Sequence, residues 1–237
     1  VYLHLEMYAQ GWEHYEWRFR KEEMFDHLKT HQAIFTKPLY KGGSLKGKRV
    51  LVHTEQGYGD NIQFARYIPE LIRAGASVVI YCRQGLKELY QDSFKIDAVI
   101  ERGNVLPSFD YHLPLLSMAY ILDKESAILH QNRAYIKAPK KRVNIGTTQK
   151  ELKIGIIWGA SNTGADYQNK KLELSAFEPL MEHEKIELYS FQVGNDAEDI
   201  TKGAYSDKLV DLAPKLSDFS KTASALSQMD LILTCDT

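Results

Sequence analysis

The stretch HTEQGYGDNIQFARYIPEL, residues 53–71, decides how this chain is read. It grows out of an apolar run, RVLVH (49–53), and leads into a helical pattern, IQFARYIPELIRAG (62–75), that Gly75 can stop. Pro69 lies inside that pattern and should kink it. A second apolar run, SVVIYC (77–82), follows at once. Strand, helix, strand in this spacing predicts a parallel sheet whose first strand-to-helix turn is TEQGYGDN. In open α/β sheets that turn is a favoured position for ligands.

The chemistry of the turn has three readings. Gly57 and Gly59 permit close backbone approach, and Asp60 stands near a helix start, where free N–H groups favour an anion. A dinucleotide site needs G-x-G-x-x-G and an acid about 20 residues on. The turn has only G-x-G, and the second strand ends in YCRQG without an acid, so a nicotinamide oxidoreductase is disfavoured. No G-K-[ST] follows, which excludes a Walker loop. Two readings remain open on spacing alone. Asp60 is either a general base for an acceptor hydroxyl, or the helix N-cap, with Gln63 closing a capping box.

The alternation continues outward. DAVIE (97–101), YHLPL (111–115) and AYIKA (134–138) read as weaker strands. PKKRVNIGTTQKE (139–151) has no apolar period and reads as a linker. Beyond it come the strands LKIGIIWG (152–159), IELYSFQVG (186–194), LVDLA (209–213) and DLILTC (230–235). The helices LSAFEPLMEH (174–183) and DFSKTASALSQM (218–229) lie among them. This predicts two parallel α/β units, 48–138 and 152–237, with a cleft between them. In the second, Trp158 and Gly159 end the first strand. Lys170 and Lys171 stand beside the next helix, either as a diphosphate would want or as part of a solvated loop. Gln192 ends the second strand, and Asp236 and Thr237 follow the last.

Residues 1–29 read as helical, with Tyr8, Trp12, Tyr15 and Phe19 on one stripe and Gly11 as a break. The stripe is expected to be packing surface. Residues 30–47, with Pro38, Gly42, Gly43 and Gly47, form a connector. The chain opens at Val1 inside a helical pattern and stops directly after a strand, so it is expected to be a piece of a longer protein.

Bulk properties narrow the function classes. The 237 residues are 44% hydrophobic and 26% charged, with a formal net charge of -1. That balance argues against broad binding to nucleic acid or to anionic membrane. No apolar run is long enough to span a bilayer. Cys82 and Cys235 lie in apolar runs and read as free thiols, without a disulfide framework or zinc site. A reducing cytoplasm fits, with no signal peptide in view.

GWEHYEWRF, HTEQGYGDNIQFARYIPEL, LPSFDYHLPLLSMAYIL, KIGIIWGAS and LSQMDLILTCDT occur in that order. Together they resemble the glycosyltransferase portion of bacterial tetratricopeptide-repeat proteins, relatives of the heptosyltransferases of glycosyltransferase family nine. The resemblance covers nearly the whole chain, and EQG-x-GD-x-IQF-x-RY is its most specific block. It implies a GT-B fold of two facing Rossmann-like domains, an amino-terminal acceptor domain and a carboxy-terminal nucleotide-sugar domain, here truncated, with the first helices ending a repeat array that can meet a protein partner. It implies inverting, metal-independent transfer from a nucleotide-sugar to a glycan, lipid-linked or protein acceptor, with no cofactor. Asp60 would be the base. Glu55, Gln56, Gly57, Gly59, Asn61 and Gln63 would surround the acceptor. Trp158, Gly159, Lys170, Lys171, Gln192, Asp236 and Thr237 would surround the donor. The family more often shows an arginine followed by a serine where the lysines stand. The alternative is an inactive glycan- or protein-binding module on the same fold.

Overall fold

The structure is a computed structural model, and it describes residues 1–20, 36–123, 125–131, 133–160, 170–203 and 205–235. The expectations for 21–29 and for Asp236 and Thr237 lie outside them. The chain divides into two compact units, Val1–Lys137 and Ala138–Thr237.

The first unit is built on β1 (Arg49–His53), β2 (Ser77–Cys82), β3 (Ala98–Glu101) and β4 (Tyr111–Pro114). Their order is β3-β2-β1-β4, and every pairing is parallel. After their first residues β1 and β2 are buried throughout, as strands covered on both faces must be. That is why they read as unbroken apolar runs. One face carries Leu51, Val79, Tyr81 and Phe109, with Ala98, Ile100 and Leu106 packed against them.

The helical pattern after β1 becomes α2 (Tyr58–Phe64), a 3-10 turn (Ala65–Tyr67) and α3 (Ile68–Arg73). The break falls before Pro69, which lacks an N–H and crowds the carbonyl four residues earlier. Helix α4 (Lys87–Ser93) links β2 to β3, and α5 (Met118–Leu122) follows β4. AYIKA forms no strand. Its Tyr135 lies beside Arg66, with the guanidinium 4.9 Å from the ring centre, and the segment runs on without a ladder.

The N-terminal segment is a 3-10 turn (Tyr2–Leu5), helix α1 (Tyr8–Tyr15) and a second 3-10 turn (Glu16–Arg20). Gly11 does not break it. The chain turns at Glu6, with φ 57°, and Gly11 lies inside α1. A Cβ on Gly11 would meet Leu3 Cδ2 at 2.4 Å, so glycine is there to let the first turn fold onto the helix. Trp12 is buried as expected of the stripe. It stacks edge-on against Phe64 at 5.7 Å, and its indole N–H donates to Ser126 Oγ at 2.7 Å.

The second unit repeats the plan. Strands β5 (Leu152–Ile157), β6 (Ile186–Ser190), β7 (Val210–Asp211) and β8 (Leu231–Thr234) run in the order β7-β6-β5-β8, all parallel. Among its described residues the α-helices are α6 (Glu178–Met181), α7 (Asp199–Lys202) and α8 (Phe219–Leu226). Ile154, Ile156 and Trp158 pack with Leu174, Phe177, Met181 and Leu188. Tyr189, Phe191, Leu212 and Ala225 form a second cluster, which Ile145 joins. The polar stretch 139–151 is thereby fastened to this unit, and Val143 N–H donates to Ser224 Oγ at 2.8 Å.

Candidate functional site

In each sheet the strand order reverses beside the first strand, between β1 and β4 and between β5 and β8. The loops leaving β1 and β5 therefore stand where open α/β sheets take ligands.

The loop after β1 is pinned from inside. Thr54 N–H donates to Tyr81 O at 2.9 Å. Asn61, fully buried, accepts from Glu55 N–H at 3.1 Å through Oδ1 and donates to Gly57 O at 2.6 Å through Nδ2. Its carbonyl accepts from the Tyr90 hydroxyl at 3.0 Å. Asn61 is thus a strut of the loop and does not project from it.

Asp60 is not the N-cap. Gly57 takes that place, with extended backbone, and Asp60 is the third residue inside α2. Its Oδ2 accepts from Gly57 N–H at 3.0 Å. Glycine has no side chain to return the bond, so only half of a capping box exists, and Gln63 is no part of it. Asp60 is half-buried, while Gly57, Gly59 and Gln63 are exposed around it. A Cβ on Gly59 would meet nothing within 4 Å.

Glu55 points the other way. It is buried, and its carboxylate accepts from Arg18 twice, Nε to Oε2 at 3.0 Å and Nη2 to Oε1 at 2.9 Å. Leu116 N–H adds a contact of 3.3 Å. Arg18 also donates to Ser117 Oγ at 2.7 Å and to Glu16 Oε1 at 2.5 Å. Burial alone pulls the guanidinium down, but the Glu55 bonds outweigh it and hold Arg18 above its ordinary value. Gln56, at φ 57°, meets the Tyr15 hydroxyl, which donates to Oε1 at 3.2 Å and lies 3.1 Å from the donor Nε2. Burial raises the Tyr15 phenol despite that bond, and the charge of Asp60 adds to the rise.

Arginines rim the same loop. The register Cys82↔Glu101 puts Arg83 and Arg102 side by side just beyond the ends of β2 and β3. Arg83 donates to Gln56 O at 2.8 Å and lies over the Tyr58 ring, and Arg102 donates to Thr54 O. Burial and the neighbouring Arg83 charge lower Arg102.

The loop after β5 is organised differently. Gln192 Oε1 accepts from Trp158 N–H at 3.1 Å and from Gly159 N–H at 2.8 Å. Trp158 is fully buried in the core, and its indole donates to Asp199 Oδ2 at 3.2 Å. A Cβ on Gly159 would meet Asp196 Oδ2 at 2.2 Å, so only glycine fits. Lys171 lies between Asp196 Oδ1 at 2.8 Å and Asp199 Oδ2 at 2.9 Å, and those bonds raise its ammonium well above the ordinary lysine value. Lys170 is exposed. Trp158 and Gln192 are therefore the frame of this loop, and Lys171 is held by two carboxylates that sequence spacing gave no means to see.

Among the described residues no helix is long and apolar enough to cross a membrane. No family model matches the chain. It is 23% identical over 225 residues to Protein FlbA of Caulobacter vibrioides, covering 84% of this chain and 37% of that protein. The chain thus spans little more than a third of that relative's length. Among solved structures it resembles a glycosyl transferase family 9 protein from Veillonella parvula, with TM-score 0.56 and 12% identity over 82% of this chain and 77% of that one. It also resembles the E. coli heptosyltransferase WaaC solved with ADP, with TM-score 0.52 and 12% identity over 80% and 81%. At such identity the likeness is one of fold.

Proposed function

We propose that this chain carries the acceptor and donor units of an inverting, metal-independent glycosyltransferase. It moves a sugar from a nucleotide-sugar to a glycan, lipid-linked or protein acceptor in the cytoplasm. The observation that carries the reading is Asp60: a half-buried carboxylate on the loop after β1, tied by one oxygen to its own helix start. The likeness of fold to family 9 transferases supports the class of reaction. In this reading the acceptor oxygen attacks the anomeric carbon while its proton passes to Asp60. The new oxygen–carbon bond forms as the sugar–phosphate bond breaks, and the nucleoside diphosphate leaves with the electron pair. Gln56, Gly57, Gly59 and Gln63 line the acceptor, with Arg83 and Arg102 as a cationic lip, while Glu55 and Asn61 hold the loop. Gly159, Lys170 and Lys171 serve the diphosphate, and Asp236 and Thr237 bind the donor. The N-terminal helices end a tetratricopeptide-like array through which a protein partner docks.

One observation favours a second reading. Lys171 is already neutralised by Asp196 and Asp199, which suits a module that binds a glycan or protein without transfer. A panel of ADP-, GDP-, UDP- and CMP-linked sugars, screened by thermal shift on the full-length protein, separates the two. A donor at 100 times its Kd stabilises the fold by about 2.7 kcal/mol. A clear shift with one nucleotide class supports the transferase, and no shift with any supports the binding module.

A further inference from the structure

We infer that the N-terminal segment Tyr8–Arg20 supplies the positioning residues of the catalytic loop, Tyr15 and Arg18, and so sets the direction in which Asp60 faces. The inference rests on the reading of Asp60 as the base.

The loop needs an external hold. Gln56 sits at φ 57°, a left-handed conformation that residues other than glycine adopt rarely and keep only when their surroundings enforce it. The next peptide carries the Gly57 N–H that fixes Asp60 Oδ2. Rotation about residue 56 therefore moves the partner of the carboxylate. Arg83 on Gln56 O and Asn61 on Glu55 N–H and Gly57 O oppose that rotation through the backbone. Two further contacts, to the side chains of the loop, come from the N-terminal segment. The Tyr15 hydroxyl engages both polar atoms of the Gln56 side chain, at 3.2 and 3.1 Å. One residue earlier, the Arg18 fork holds both oxygens of Glu55, at 3.0 and 2.9 Å. Its plane is itself placed by the Phe19 ring, 4.0 Å from the guanidinium carbon, and by Ser117. A planar fork fixes direction as well as charge, which a lysine cannot reproduce. Buried ion pairs add little net stability and are best attested as devices that fix an arrangement. The apolar cluster around Leu51, Val79 and Tyr81 does not include this network.

The test uses full-length Tyr15→Phe and Arg18→Lys, beside Asp60→Asn. Tyr15→Phe removes one oxygen and keeps the ring, so it decides the matter if Arg18→Lys fails to fold. Two quantities are read: amide hydrogen exchange of residues 54–61 against β1 and β2, and kcat against KM for sugar transfer. The expected result in Tyr15→Phe is an unchanged melting temperature and faster exchange confined to the loop. With it, kcat falls about tenfold and KM for the donor is unchanged, the pattern of a misplaced catalytic group. A purely structural role would lower the melting temperature and leave kcat alone. Unchanged loop exchange and unchanged kcat in a folded variant overturn the inference. Faster exchange with unchanged kcat, while Asp60→Asn is inactive, also overturns it and leaves the base in place. If transfer survives Asp60→Asn, the base reading falls, and the inference, which depends on it, falls too.

Discussion

The loops leaving β1 and β5 occupy equivalent places in two sheets of the same strand order, yet they manage charge in opposite ways. After β5 the backbone N–H groups of Trp158 and Gly159 are closed off by Gln192, and the cation Lys171 is balanced by Asp196 and Asp199. Among its described residues, that loop has those N–H groups and its cation met from within its own unit. After β1 the buried acid Glu55 is balanced by Arg18, while Asp60 remains partly open and two arginines stand at the rim. A shared topology sets where a loop stands. The few side chains that reach it from other elements set what it offers. The β1 loop offers a carboxylate, and the β5 loop offers an enclosed glycine and a pre-balanced lysine.

Mutations that unbalance the two loops should separate them. The largest effect is expected from Glu55→Ala, which leaves the buried Arg18 with Glu16 as its remaining carboxylate and should cost about 3 kcal/mol in denaturant unfolding. Asp60→Ala, on the same loop but half-exposed, should cost about 1 kcal/mol or less. Parity between them would remove the distinction between the loop's inner and outer acids. Next comes Gly159→Ala, whose Cβ must displace Asp196 and should cost about 1–3 kcal/mol. Gly59→Ala meets nothing and lies within α2, so it should gain about 0.4–1 kcal/mol while hindering an acceptor that approaches the backbone. The smallest effect concerns pH. His112 lies 3.3 Å from His53 on the neighbouring strand, and burial lowers its imidazole. Its stabilisation is complete above the ordinary histidine value of about 6.5 and is lost as pH falls through the lower folded value. His112→Asn should flatten that slope in melting temperature against pH.

The sequence made the sheets legible because parallel strands covered on both faces must be apolar throughout. RVLVH and SVVIYC correspond residue for residue to β1 and β2. AYIKA misled because one ring, Tyr135, answers its pattern by lying beside Arg66, with no strand partner needed. Gly11 misled because a glycine also marks close packing, here against Leu3. The loop's position was readable, and most of its fastening was not. Arg18 and Glu55 are 37 residues apart, Tyr15 and Gln56 are 41 apart, and Trp158 and Gln192 are 34 apart. No local pattern encodes such pairs. The capping expectation missed by three residues, Asp60 against Gly57, for a related reason. Asn61 holds Gly57 O and Glu55 N–H, which moves the helix start back to Gly57 and leaves Asp60 inside the first turn.

The central claim is that the Asp60 carboxylate takes the acceptor's proton. Its most direct test is the rate of sugar transfer by full-length Asp60→Asn against the parent, with the donor found by the nucleotide-sugar panel and donor affinity measured in parallel. The account predicts a fall of about two to four orders of magnitude in kcat with donor affinity little changed. Transfer at the parent's rate would contradict it.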